Sequence, residues 1–154
     1  MFARVDRKPG DAVGCSMDQW PGYEMNRRRI LEAFQERHVS NPVVLTGDIH
    51  SNWANNLVVD YKDGEPQVVG SEFVGTSISS GGDGKPNTDT TQLMAENPFV
   101  KFFNAERGYV RCDVTPKLWQ TDYRTVEFVS RPDAPVTTRA AFVIEDGVPG
   151  MHPA

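Results

Sequence analysis

The sequence predicts a mixed α/β fold, with a helix and a buried strand first and mostly antiparallel strands afterwards. Three observations carry that prediction. Tyr23, Arg27, Ile30, Leu31 and Phe34 recur at three- and four-residue steps, the period of an amphipathic helix. Val43, Val44 and Leu45 form a short unbroken apolar run, as in a strand covered on both faces. Tyr109, Val110, Val114, Trp119, Tyr123, Val126 and Phe128 are strand formers grouped around the turn-like Thr115-Pro116-Lys117.

Taken in order, residues 1–17 show no sustained period and read as an irregular lead-in. The helix is expected from about Gly22 to His38, ended by Asn41-Pro42, because a residue before proline avoids helical angles. The apolar strand stops at Thr46-Gly47. Leu57 to Tyr61 reads as a further strand closed by the turn signal Asp63-Gly64, and Gln67 to Ile78 holds another extended run. Residues 79–88 form a polar, flexible loop. Thr90 to Asn104 reads as one or two short helices broken near Asn97-Pro98. Arg107 to Val114 and Leu118 to Val129 form a hairpin, and Val136 to Glu145 is a last strand ended by Asp146-Gly147.

A chain of 154 residues fits one domain or a piece of a larger one. With 38% hydrophobic and 24% charged residues it can build a core. No apolar run approaches the roughly 20 residues of a membrane-spanning helix, and no signal-peptide pattern opens the chain. The net charge of -5 argues against a nucleic-acid binder, which usually carries a basic face. Cys15 and Cys112 are too few for a disulfide framework. Cys112, inside a strand-like run, reads as a small core residue. A bond between the two stays open.

The sharpest chemical signal is Gly47-Asp48-Ile49-His50, at the end of the apolar strand. One residue separates the carboxylate from the imidazole, so a tight loop can aim both at one cation. Carboxylate oxygen suits hard cations and imidazole suits transition metals, and such mixed donors serve hydrolytic metal sites. Asp-x-His is common by chance, however, and Asp48 can simply close a strand with a local turn. Asp18, Trp20 and Tyr23 form a second cluster. Either Asp18 caps the helix, or it joins the loop of Asp48; Trp20 is expected to pack under the helix. Arg27, Arg28 and Arg29 read as a solvated helix face with glutamate partners, with phosphate binding as the alternative. His38 reads as a structural cation at a helix C-terminus, and His152 as an exposed residue of the tail. Phe99, Phe102 and Phe103 read as a core-facing stripe. Ser79 and Ser80 lack the context of a serine nucleophile.

Several longer stretches sharpen this reading. V-V-L-T-G-D-I-H-S-N-W-A, G-S-E-F-V-G-T-S-I-S-S-G-G, R-G-Y-V-R-C-D-V-T-P and W-Q-T-D-Y-R-T-V, with D-Q-W-P-G-Y-E-M-N-R-R-R-I-L before them, closely resemble the C-terminal part of PhoD-like alkaline phosphatases, a branch of the calcineurin-like metallophosphoesterases. The resemblance runs in order over about residues 18–150.

It implies the C-terminal portion of a single four-layer α/β/β/α sandwich, spanning residues 1–154, and hydrolysis of phosphomonoesters and phosphodiesters by metal ions, iron and calcium in this branch. Asp48 and His50 match the family's last metal-binding block and are the candidate catalytic and metal residues. Where the family pattern has Asp near Trp20, this chain has Pro21, so Asp18 is at most a substitute. The family's earlier metal blocks have no match in residues 1–47, so the chain is expected to be an incomplete copy. Its expected partners are a phosphoester and an N-terminal half supplied by another chain. The alternative is a non-catalytic remnant that only binds or packs. Family resemblance also implies a secreted or periplasmic location.

Overall fold

The structure is a computed structural model and describes residues 1–8, 10, 12–61, 66–86 and 88–154. The turn expected at Asp63-Gly64 lies outside the described residues. A 3-10 turn, Trp20–Tyr23, leads into helix α1, Glu24–Glu36. Strands follow as β1 (Val43–Thr46), β2 (Asn52–Val58), β3 (Val68–Val74) and the two-residue β4 (Gly84–Lys85). After the short helix α2 (Thr91–Glu96) come β5 (Val100–Val114), β6 (Leu118–Val126), β7 (Val136–Glu145) and β8 (His152–Pro153).

The strands join in the order β1-β3-β2-β5-β6-β7-β8, with β4 beside β5. Among the described residues only β1 and β3 run parallel; the other pairs are antiparallel. The expected α/β opening and antiparallel remainder are therefore both present. Strand β5 joins two parts of the sheet. Its first residues pair with β2, as in Trp53 opposite Phe103, and Arg107 to Val114 pair with β6. Gly108 lies where the second pairing begins, and its φ of +151° and near contact with the Arg124 carbonyl exclude any side chain; a Cβ there would lie 2.0 Å from that oxygen.

Two apolar clusters occupy the two faces. On one, Leu31, Trp53, Leu57, Val74 and Val100 pack with Met1, Phe2, Ala3 and Val5 under α1 and α2. On the other, β6 and β7 fold back so that Tyr123, Phe142 and Ile144 cover Ala54 and Phe73. The Tyr123 hydroxyl donates to the Trp53 carbonyl. Burial pushes that phenol well above its ordinary value, which keeps the donor protonated. Residues 1–8 have no helix or strand, yet their first residues are core. The backbone N–H of Phe2 and of Ala3 donates to the two carboxyl oxygens of Glu72 on β3.

Several local expectations change. Strand β1 is covered on both faces only in part: Val43 and Val44 pack into the two clusters, but the strand lies at the end of the sheet and Leu45 is 57% exposed. The strand expected over Leu57–Tyr61 is β2, shifted toward the N-terminus, and its asparagines are buried by pairing rather than by apolarity. Helix α2 ends at Glu96, and Val100 onward is strand, because the alternating V-K-F-F segment docks on β2. Phe99, Phe102 and Phe103 do not form one stripe. Phe103 meets Trp53 on one face, and Phe102 meets Tyr123 on the other. Cys112 lies in a strand but is exposed, because the outer half of β5 carries no covering layer, and both cysteines are free thiols. Helix α1 ends through His38, whose φ is +50°, with the Val39 N–H reaching back to Phe34, three residues before Asn41-Pro42. His152 is exposed as expected, but within β8. No helix of the described residues is long and apolar enough to cross a membrane.

Acid should weaken the β5–β6–β7 part. Glu106 is buried; burial raises its carboxyl, but Arg139 and Asn104 outweigh this and hold it below its ordinary 4.5. Asp122 is held below 3.8 by Gln120, against burial, with help from Arg111. A depressed carboxyl stabilises the fold above its unfolded value and loses that contribution as pH falls through the folded value. Urea midpoints should therefore stay flat between about pH 7 and 5.5 and fall below about pH 4.5. Arg139→Met should flatten that acid limb, and an unchanged limb would disprove the assignment.

Candidate active site

The Gly47–His50 segment leaves the C-terminal end of β1, where loops of α/β sheets collect ligands. Its backbone is strained at both candidate residues. The Ile49 N–H donates to the Gly47 carbonyl at 2.9 Å, closing a three-residue turn around Asp48, whose φ is +71°. That is the rare, positive-φ form of γ-turn. His50 follows with φ +52°. Such angles cost of order 1–3 kcal/mol each outside glycine and persist only where the surroundings impose them.

Two buried side chains flank the loop. Below the loop, Glu72 accepts from the Thr46 hydroxyl at 2.8 Å and from Asn55 at 3.0 Å, besides the two N-terminal amides. Beside the loop, Arg107 is 6% exposed and donates only to backbone carbonyls. It reaches His50 at 2.8 Å, Gly82 at 2.9 Å and Gly81 at 3.3 Å. Arg107 thereby ties the loop expected to be flexible to the Asp48 loop. Gly81, with φ +86°, is needed at that contact, since a Cβ would come within 2.9 Å of the guanidinium and 3.6 Å of His50 Nδ1. Asp83 fixes the next turn by accepting from the N–H groups of Val129 and Ser130.

Asp48 and His50 are both exposed. Asp48 lines a cleft of about 880 Å³ between the loop and α1, together with Asp18, Trp20, Tyr23, Arg29 and Ile30. The structure thus brings Asp18 and Asp48 to one cleft. His50 is not among the residues lining it; its imidazole sits beside Gly81. Asp18 does not cap the helix: Gln19 precedes the 3-10 turn, and no side chain caps it. Trp20 packs on Phe2, with ring centroids 4.9 Å apart, and Tyr23 is exposed at the cleft. Among the described residues no three His, Cys, Asp or Glu side chains gather closely enough to hold a metal ion.

The three arginines of α1 separate. Arg27 is fully buried rather than solvated, paired with Glu24 at 2.7 Å and lying 5.0 Å over the ring of Tyr61. Arg28 pairs with Glu32 on the surface as expected, and Arg29 lines the cleft. Sequence reasoning missed Arg107 and Glu72. Each lies within a quoted motif, but nothing in its local pattern sets it apart from an ordinary surface charge.

A strained acidic loop at the end of a parallel strand, opening on a cleft that holds a second carboxylate, stands where α/β proteins commonly bind ligands. Comparison with known proteins narrows this. A family model described as PhoD-like phosphatase matches residues 1–123. The chain is 48% identical over 138 residues to alkaline phosphatase D of Bacillus subtilis (strain 168), a match covering 89% of this chain and 24% of that protein. A solved structure described as "Structure of PhoD" superposes with a TM-score of 0.91 at 43% identity, covering all of this chain and 30% of that one. The chain belongs to the PhoD-like phosphatase family. It spans about a quarter of the length of the curated relative it matches.

Proposed function

We propose that this chain is one segment of a metal-dependent phosphomonoester and phosphodiester hydrolase, and that Asp48 and His50 are metal ligands of its site. The observation that carries the reading is Asp48. A carboxylate held at the centre of a strained turn, on a cleft shared with Asp18, is expensive to maintain unless it serves chemistry.

The donor chemistry fits a metal in part. Two carboxylates on one cleft suit a hard cation such as calcium or ferric iron, while the His50 imidazole, a transition-metal donor, stands outside that cleft beside Gly81. Hydrolytic metals usually take about three protein ligands each, more than these residues bring together. When bound, metal would polarise a phosphoryl oxygen and acidify a water. The chain's own residues fix the donors. Glu72 holds the root of the loop, Arg107 grips His50 by its carbonyl, and Asp18 adds a second acidic group to the cleft of Asp48.

In this reading residues 1–154 are the C-terminal part of one four-layer α/β/β/α domain, with residues 18–150 its most recognisable part. Iron and calcium are the metals, and the location is secreted or periplasmic. A phosphoester is the substrate, and the remaining part of the domain supplies the other ligands. A second reading, a non-catalytic remnant, draws on the absence of a three-ligand cluster among the described residues.

Turnover of p-nitrophenyl phosphate with added zinc, iron or calcium separates the two. The chain alone should give negligible turnover, and the completed domain should hydrolyse the ester. Brisk turnover by the chain alone would overturn the shared donor set. No turnover from the completed, folded domain would favour the remnant.

A further inference from the structure

We infer that Arg107 is a positioning residue of the phosphoester reaction: it locks the loop after β3 to the loop after β1, and through that joint it holds His50 in place. The inference rests on the function proposed above, with His50 as a metal donor, and adds the residue that sets that donor.

The joint follows from topology. Strands β1 and β3 are parallel neighbours, so the chain leaves both at the same end of the sheet. Loops 47–51 and 75–82 therefore start side by side, with the Gly75 N–H donating to the Thr46 carbonyl at 2.9 Å. The second loop is firm within itself. The Ser77 hydroxyl donates to the Ser80 carbonyl at 2.7 Å, and the Gly82 N–H to the Ser79 carbonyl at 3.2 Å. Its root is pinned as well. Asn52 accepts from the Thr76 N–H at 3.1 Å, and the Gly108 N–H donates to the Ser77 carbonyl at 3.2 Å. Its tip, Gly81-Gly82, is joined to the His50 loop through Arg107. Among the described residues no other hydrogen bond makes that connection.

The chemistry of the side chain argues for a task beyond packing. Arg107 is buried, and no carboxylate among the described residues pairs with it. Burying a charge without an ionic partner is costly, and apolar side chains often fill such space at less cost. What the guanidinium supplies is a planar fork of donors that grips several acceptors at once. Here the fork spans both loops, with the His50 carbonyl from the first and those of Gly81 and Gly82 from the second. His50 is exposed, its φ is +52°, and its imidazole lies beside Gly81. An exposed residue at such an angle needs its backbone held, or it relaxes and carries the imidazole away.

The test compares Arg107→Met and Arg107→Lys. Arg111→Met is the control, since Arg111 lies further along β5, is exposed and bonds Asp122. In the 154-residue chain the readout is deuterium exchange at the Ile49 and Gly82 amides, which close the two turns. Arg107→Met should speed both about fivefold or more and leave the Thr115 and Asp146 amides unchanged. In the completed domain, Arg107→Met should lower kcat for p-nitrophenyl phosphate about 10–100-fold, with KM changed less than about threefold. Arg107→Lys should recover only part of this, because an ammonium lacks the fork. Arg111→Met should match the unmutated domain. In a His50→Gln background, Arg107→Met should cost less than about twofold more, because both changes act through one donor. An equal loss in both backgrounds would reduce Arg107 to a fold stabiliser and overturn the inference. So would full rescue by lysine, or exchange at Ile49 and Gly82 that ignores Arg107→Met. An unmutated completed domain without turnover would sink the proposed function, while exchange in the chain alone still decides whether Arg107 clamps the two loops.

Discussion

Glu72→Ala should lower the stability of the chain by about 4 kcal/mol or more, among the largest effects of any single substitution. The side chain is fully buried and accepts from four donors: the amides of Phe2 and Ala3, the Thr46 hydroxyl and the Asn55 amide. Truncation strands all four in the interior, and each unsatisfied donor costs about 1–3 kcal/mol, less whatever relaxation or water recovers. The void left by the side chain adds to this. Glu72→Gln keeps one acceptor oxygen and turns an NH2 group toward the remaining donors, so about half the loss is expected. Urea unfolding followed by tryptophan fluorescence measures both. Because Glu72 joins residues 2–3, β1 and β2 to β3, the N-terminal segment should become protease-sensitive in the same variant. A loss under about 1 kcal/mol would mean that apolar packing alone holds residues 1–5.

Asp48→Asn should lower kcat/KM of the completed domain by about 100-fold or more while leaving the fold intact. Outer-shell partners of metal ligands already cost 10–100-fold when mutated, so a direct ligand should cost at least as much. The change keeps the shape, and asparagine tolerates positive φ well, so the turn should survive. Phosphoester turnover at saturating metal, with circular dichroism as the check on folding, reads the two apart. His50→Gln should act in the same direction. An Asp48→Asn domain with unchanged turnover would remove Asp48 from the metal site.

Particular residues show how far the sequence was legible. Helix α1, the hairpin through Thr115-Pro116-Lys117 and the last strand were readable because local pattern and tertiary role agree. Tertiary pairing overrode the pattern in two places. Asn52, Asn55 and Asn56 look like loop, yet they lie inside β2, where Asn52 and Asn56 accept from the N–H groups of Thr76 and Met151 and Asn55 donates to Glu72. Val100 to Asn104 follows a helix and a proline, yet pairs with β2. At the site, the loop of Asp48 and His50 was visible as a motif at a strand end, and the shared cleft placed Asp18 beside it. Arg27 fits the apolar period of α1 and is buried, so the helical spacing was the better guide than its charge. The supports Arg107 and Glu72 were not legible, because their partners lie 57 and 70 residues away.

The two positive φ angles around Ile49 set a conflict between sturdiness and chemistry. Glycine at position 48 or 50 would relax the backbone and give a tougher chain, while deleting a side chain proposed as a metal donor. Screens that select only for heat resistance would drift toward that exchange. If Asp48 and His50 hold metal as proposed, stability and activity should therefore move in opposite directions at these two positions.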